Sequence, residues 1–182
     1  MKRMAALLLA LLFAVDILAK ESDTPDSIYQ LDARLTDQAG HAQGLDLYRG
    51  SPVLIAMFYG SCQATCPLII DTLRSTERGV SPEQRAKLRV LLISFDPERD
   101  TPAALGEIAA TRRIDTTRWT LATADAETVR NIAALLDVQY RRLPSGEFSH
   151  SAVITILSPR GEIEARSTHL GRADPELLKH LR

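Results

Sequence analysis

Residues 52–67 read PVLIAMFYGSCQATCP, a near-continuous apolar run that stops at Gly60 and delivers two cysteines, Cys62 and Cys66. A short run this apolar fits a strand buried on both faces, as in the middle of a parallel sheet covered by helices. The residues after it, LIIDTLRSTERG from Leu68, carry apolar side chains at helical spacing and predict a helix. A strand feeding a helix is half of a β-α-β unit, and ligands of open α/β sheets usually sit at the carboxyl ends of such strands.

Outward from this stretch the pattern repeats. Arg89–Phe95 (RVLLISF) is a second buried strand, and Thr101-Pro102 opens a helix with a Thr cap and Pro in the first turn. Arg118–Ala122 reads as a short strand and Asp125–Leu136 as a helix capped by Asp125. Ser151–Leu157 (SAVITIL) is a further strand, turned at Ser158-Pro159-Arg160-Gly161 into a partner over Glu162–Arg166, and Asp174-Pro175 caps a last helix. Upstream, Tyr29–Thr36 alternates as a strand does, with a second short strand near Gln43–Leu45 after the turn at Gly40. The expected class is α/β, a central mixed sheet flanked by helices with an N-terminal strand extension.

Composition narrows the function classes. The chain has 182 residues, 45% apolar and 25% charged, which suits a globular core and excludes a disordered polar chain. A net charge of −1 offers no basic field for nucleic acid. Two cysteines are too few for a disulfide-scaffolded miniprotein or a four-thiolate zinc site. The first residues, MKRMAALLLALLFAVDILA, give a positive start, an apolar run and small residues near Ala19, the pattern of a secretory signal over 1–19. The run before Asp16 is short for a spanning helix, which needs about 20 apolar residues. A single mature domain over 20–182, working outside the reducing cytosol, is the expectation; an uncleaved leader would tether it to the membrane.

The Cys-x3-Cys pair carries the candidate chemistry. At helical spacing Cys62 and Cys66 would share one face, and a helix N-terminus favours anions, so at least one thiol should ionise readily. Two soft thiolates suit Cu(I), and an added imidazole would admit Cu(II); the pair also suits electron chemistry. A purely structural disulfide would close so short a loop that it would restrict the unfolded chain little. Among the histidines, His41 and His169 fall in polar loops, and His180 falls in a last helical turn that suits a cation. His150 directly precedes a buried strand, which makes it a candidate ligand beside the reading as a surface histidine. Asp96 and Arg99 follow RVLLISF, either as charge near the thiols or as part of a capped loop.

Three segments together resemble the SCO/SenC family: Gly60–Pro67 after its apolar strand, LLISFDPERDTP at 91–102, and FSHSAVITILSPRGEI at 148–163. The resemblance runs from about Tyr29 to the C-terminus. It implies a thioredoxin-like fold, and one copper ion, Cu(I) or Cu(II), held by Cys62, Cys66 and His150, with Asp96 behind the ligands. It further implies delivery of copper to, or upkeep of the thiols of, the binuclear copper site in cytochrome c oxidase subunit two, with another copper or thiol protein as the other partner class. The insert Gln63-Ala64-Thr65 departs from the acidic residue or proline common there in the family, and many members keep a membrane anchor. A thiol–disulfide oxidoreductase using Cys62 as attacking thiol, without obligatory metal, is the alternative. A peroxiredoxin is disfavoured because Pro-x3-Thr-x2-Cys does not precede Cys62. These readings place the protein in the periplasm or another exported compartment, near the membrane.

Overall fold

A computed structural model describes residues 24–62 and 64–181. The leader over 1–19 lies outside these residues. Three parallel strands form the centre of a seven-stranded sheet: β3 (Val53–Phe58), β4 (Arg89–Ser94) and β5 (Trp119–Thr123). Every residue of β3 is buried, as the sequence demands of a strand covered on both faces. On one side β8 (Ile154–Leu157) pairs antiparallel with β3, and β9 (Ile163–Ser167) pairs with β8. On the other side β1 (Leu35–Asp37) pairs antiparallel with β5 and carries β2 (Ala42–Gln43) at the edge. The full order is β2-β1-β5-β4-β3-β8-β9. The mixed sheet and the N-terminal strand extension are as expected.

Helix α1 (Thr65–Arg78) packs on β3, α3 (Pro102–Thr111) on β5 and β1, and α5 (Pro175–His180) on β9. Helix α4 (Ala126–Leu135) turns Val129, Ile132 and Ala133 into the core. The anticipated caps hold: the Thr101 side chain accepts from the Ala104 N–H, Asp125 from Glu127 and Thr128, and Asp174 from Glu176.

Several expectations are corrected. The strand over Tyr29–Thr36 is only Leu35–Asp37; before it, Ser27 caps a 3-10 turn at Ile28–Gln30 whose Tyr29 ring packs on Gly161. Alternation alone cannot separate a strand from a short turn that buries the same side chains. The second strand ends at Gln43, and Leu45–Tyr48 is a 3-10 turn that buries Leu45 and Tyr48. A short helix α2 (Pro82–Lys87) was not foreseen, although the reciprocal bonds of Ser81 and Gln84 form a capping box at its start. The partner of β8 is shifted one residue, to Ile163–Ser167.

The largest correction concerns the strand placed at Ser151–Leu157. Only Ile154–Leu157 joins the main sheet. The residues just before it belong to a separate two-stranded ribbon, β6 (Tyr140–Arg142) against β7 (Phe148–His150), which turns at Leu143–Gly146. Gly146 there takes φ +86°, a conformation that favours glycine.

Candidate metal centre

The site forms where β3 ends. Beyond Phe58 the chain turns, with the Cys62 N–H donating to the Tyr59 carbonyl at 3.3 Å. Helix α1 begins only at Thr65, so Cys62 stands in the turn and Cys66 in the first helical turn; the expectation that both share a helical face is corrected. The position before the helix is Ala64, which has no side-chain acceptor for the free N–H groups of the first turn. The Cys62 sulfur takes that role and accepts from the Cys66 N–H at 3.4 Å. A sulfur in this position sits against the positive end of a 14-residue helix.

The two thiols are both buried, 6% and 4% exposed, yet titrate in opposite directions. Burial works against ionisation of Cys62. It is overcome by hydrogen bonds from the Cys66 N–H and thiol and from the Ala64 N–H, with the His150 ring alongside, which bring Cys62 down to about 6. Burial pushes the Cys66 thiol well up, and the neighbouring Cys62 and Asp100 charges add to it. One thiolate beside one thiol is therefore the resting state near neutral pH, and the expected depressed thiol is Cys62.

His150 ends β7, opposite Tyr140. Its Nδ1 lies 3.0 Å from the Ser151 carbonyl oxygen. A carbonyl only accepts, so Nδ1 carries the proton and Nε2 keeps its lone pair for a ligand. The ring packs edge-on to Tyr59 at 5.7 Å and against Phe95 at 5.0 Å. One ligand atom from each of Cys62, Cys66 and His150 lies within 4.8 Å of the others, the only such group among the described residues. That span is about twice a metal–sulfur bond of roughly 2.3 Å, so the donor set fits a single ion.

The remaining histidines stay apart. His41 and His169 are 78% and 79% exposed, each beside an aspartate, and His180 lies between Glu164 and Glu176. The Asp96 carboxylate pairs with Arg99. The carboxylate near the thiols is Asp100, which sequence reasoning passed over. It is buried and accepts from the Gly60 N–H at 2.8 Å and from Ser94 Oγ at 2.5 Å, so it joins the ends of β3 and β4. Burial raises its carboxyl above the ordinary range, against those two hydrogen bonds. A Cβ on Gly60 would fall 2.5 Å from Asp100 Oδ1 and 2.7 Å from Ile108 Cδ1, so the close approach requires glycine. Tyr59, Phe95 and Glu147 also escaped the sequence reading. The aromatic residues at the ends of two buried strands were the available signal.

A fold of this topology with a Cys-x3-Cys turn after the first central strand, faced by a histidine, defines a class. The model of the SCO1/SenC family matches residues 21–181, and the chain belongs to that family. It is similar to Protein SCO2 homolog, mitochondrial, of Bos taurus, 28% identical over 141 residues, 74% of this chain and 52% of the relative; it thus spans about half the length of that relative. Among solved structures it is similar to Bradyrhizobium japonicum ScoI with copper bound, at 24% identity and a TM-score of 0.66 over 82% of this chain and 94% of that one. It is also similar to BsSco, a member of the Sco family of cytochrome c oxidase assembly proteins in which a disulfide switch was identified. There the identity is 18% and the TM-score 0.62, over 81% and 88% of the two chains. At these identities the solved structures establish the thioredoxin-like fold.

Proposed function

We propose that this protein is an exported copper carrier that holds one copper ion through Cys62, Cys66 and His150. The ion goes to, or the thiols are kept reduced at, the binuclear copper site of cytochrome c oxidase subunit two. The observation that carries the reading is the convergence of two sulfurs and one imidazole nitrogen, remote in sequence, within 4.8 Å. Two thiolates and a neutral imidazole suit Cu(I) as a three-coordinate ion, and a further oxygen or nitrogen donor would suit Cu(II). Zinc would want a fourth protein ligand that the described group does not supply. Family membership and the copper in the Bradyrhizobium relative support the assignment. The leader pattern at Met1–Ala19 supports export of a single domain over 20–182, free or tethered.

The residues divide the work. Cys62 meets an incoming ion as a thiolate, while Cys66 gives up its proton when it ligates, so loading releases a proton and tightens as pH rises. His150 supplies Nε2, oriented by the Nδ1 bond to the Ser151 carbonyl. Release proceeds by ligand exchange with thiolates of the recipient.

The opposite titration of the two thiols also favours a second reading, thiol–disulfide exchange. The Cys62 thiolate attacks one sulfur of a partner disulfide, and the other partner sulfur leaves as a thiolate. Cys66 then loses its proton and attacks the Cys62 sulfur, which releases the second partner thiol and leaves a Cys62–Cys66 disulfide. Competition titration of the reduced protein with Cu(I) separates the readings. We expect one ion per chain, none in Cys62→Ser or Cys66→Ser, and a weakening in His150→Ala greater than the roughly 10–100-fold typical for losing a group that only supports a ligand. His150→Ala with wild-type affinity would remove the imidazole from the copper site. A wild-type protein that binds no copper but reduces a disulfide substrate would leave exchange as the function.

A further inference from the structure

The thiols and the imidazole are held by different parts of the fold. Cys62 and Cys66 follow β3, a wholly buried strand of the main sheet, whereas the β6–β7 ribbon that carries His150 has no hydrogen-bonded strand partner in that sheet. Sheet register brings the chain just ahead of β8 to the end of β3, and the ribbon's own contacts set the final approach of His150 to the sulfurs. Two kinds of contact tie the ribbon down. Phe148 packs on Phe95 and Tyr59, and Tyr140 stacks on Phe95, at ring distances of 5.1–5.3 Å. The polar ties meet at the ribbon's turn. Glu147 Oε2 accepts from the Tyr59 hydroxyl at 2.8 Å, and Glu147 Oε1 lies 3.8 Å from Arg99 Nη1. Arg99 in turn donates to the Gly146 carbonyl at 2.9 Å and pairs with the buried Asp96.

Tyr59 is common to both halves. Its carbonyl accepts from the Cys62 N–H, its ring packs perpendicular to His150, and its hydroxyl donates to Glu147. We infer that Glu147 is a positioning residue: by fastening the β6–β7 turn to Tyr59 and Arg99, it sets the approach of His150 to Cys62 and Cys66. The inference rests on the copper reading for its consequence and on the metal-free protein for its geometry. Glu147 touches no ligand atom itself. Removing its side chain takes away the bond to the Tyr59 hydroxyl and leaves Arg99 only the Gly146 carbonyl there, so the ribbon keeps that hydrogen bond, the Arg142–Glu98 pair and its ring contacts but loses the tie between its turn and the Tyr59 hydroxyl.

The test pairs Glu147→Ala and Glu147→Gln with His150→Ala. In the metal-free protein, the His150 ring-proton shifts report the stacked Tyr59 and Phe95 rings. We expect them to move toward exposed-histidine values in Glu147→Ala, and less in Glu147→Gln, which keeps an acceptor for the Tyr59 hydroxyl. With Cu(I) as probe, Glu147→Ala should weaken binding about tenfold in the wild-type background and not at all in the His150→Ala background. Unmoved His150 shifts in both variants, or the same loss of copper affinity with and without His150, would overturn the role. Should the wild-type protein bind no copper, the copper reading fails, and the ring-proton shifts alone decide whether Glu147 positions His150.

Discussion

The end of β3 and the β6–β7 ribbon face each other across a few ångströms, yet they are stabilised by different physics. The thiol side is embedded in the core: β3 is wholly buried, its last turn is clamped by Asp100, and α1 starts directly under the sulfurs. The imidazole side is a three-residue pairing, part-exposed, held by ring stacking and charged ties near the surface. Burial stabilises in proportion to the apolar area removed from water, whereas exposed ion pairs weaken as salt screens them. The comparison teaches that this centre has a fixed half and an adjustable half, an arrangement suited to an ion that must be both held and surrendered.

The comparison breaks most visibly in the core. Leu92 in β4 is fully buried, and Leu92→Ala should lower stability by about 2–5 kcal/mol in urea unfolding. If that variant lost little stability, the account of the thiol side as core-supported would fail. An intermediate effect should appear in thiol chemistry. Alkylation of the reduced protein by iodoacetamide should follow a midpoint at about 6, the value of Cys62, with Cys66 modified far more slowly. A midpoint near 8.5, the ordinary thiol value, would remove the helix-end stabilisation. The signs for folding follow from linkage. The depressed Cys62 adds stability above its unfolded value that is lost as pH falls through about 6, while the raised Cys66 acts oppositely, its contribution present at low pH and lost as pH rises. The smallest effect belongs to the ribbon's surface pair. Arg142 and Glu98, 2.6 Å apart and 48% and 70% exposed, should contribute no more than about 1 kcal/mol, so Arg142→Ala should barely shift the urea midpoint. A loss comparable to Leu92→Ala would mean the ribbon is built like the core.

The same division explains what could be read from the sequence. The buried strands 53–58 and 89–94 announce themselves because nothing polar interrupts them, and the Thr101, Asp125 and Asp174 caps use side chains whose bonding preferences are local. The ribbon is not legible in this way. Tyr140–Arg142 and Phe148–His150 are short, mixed in polarity and stabilised by partners far along the chain, so no periodicity marks them. Cys62 and Cys66 were evident from spacing, although the helix starts later than the spacing suggested. His150 was a candidate from its place just ahead of a buried strand, and likeness to the family motif singled it out as the ligand. Asp100 was hidden within an ordinary capping sequence, because its partners lie elsewhere in the chain, Gly60 in the turn after β3 and Ser94 at the end of β4.

The antiparallel pairing of β8 with β3, Ala56 opposite Ile154, begins β8 at the edge where β3 finishes. Proximity between the cysteine turn and the histidine is thereby written into one strand pair, and the long excursion through β4, α3, β5 and α4 contributes no length to it. Loops on that excursion remote from the cysteine turn, such as Asp115–Arg118 ahead of β5, can gain residues at a closure cost that grows only logarithmically. They are natural addresses for fluorophores or affinity handles that leave the metal-facing rim untouched.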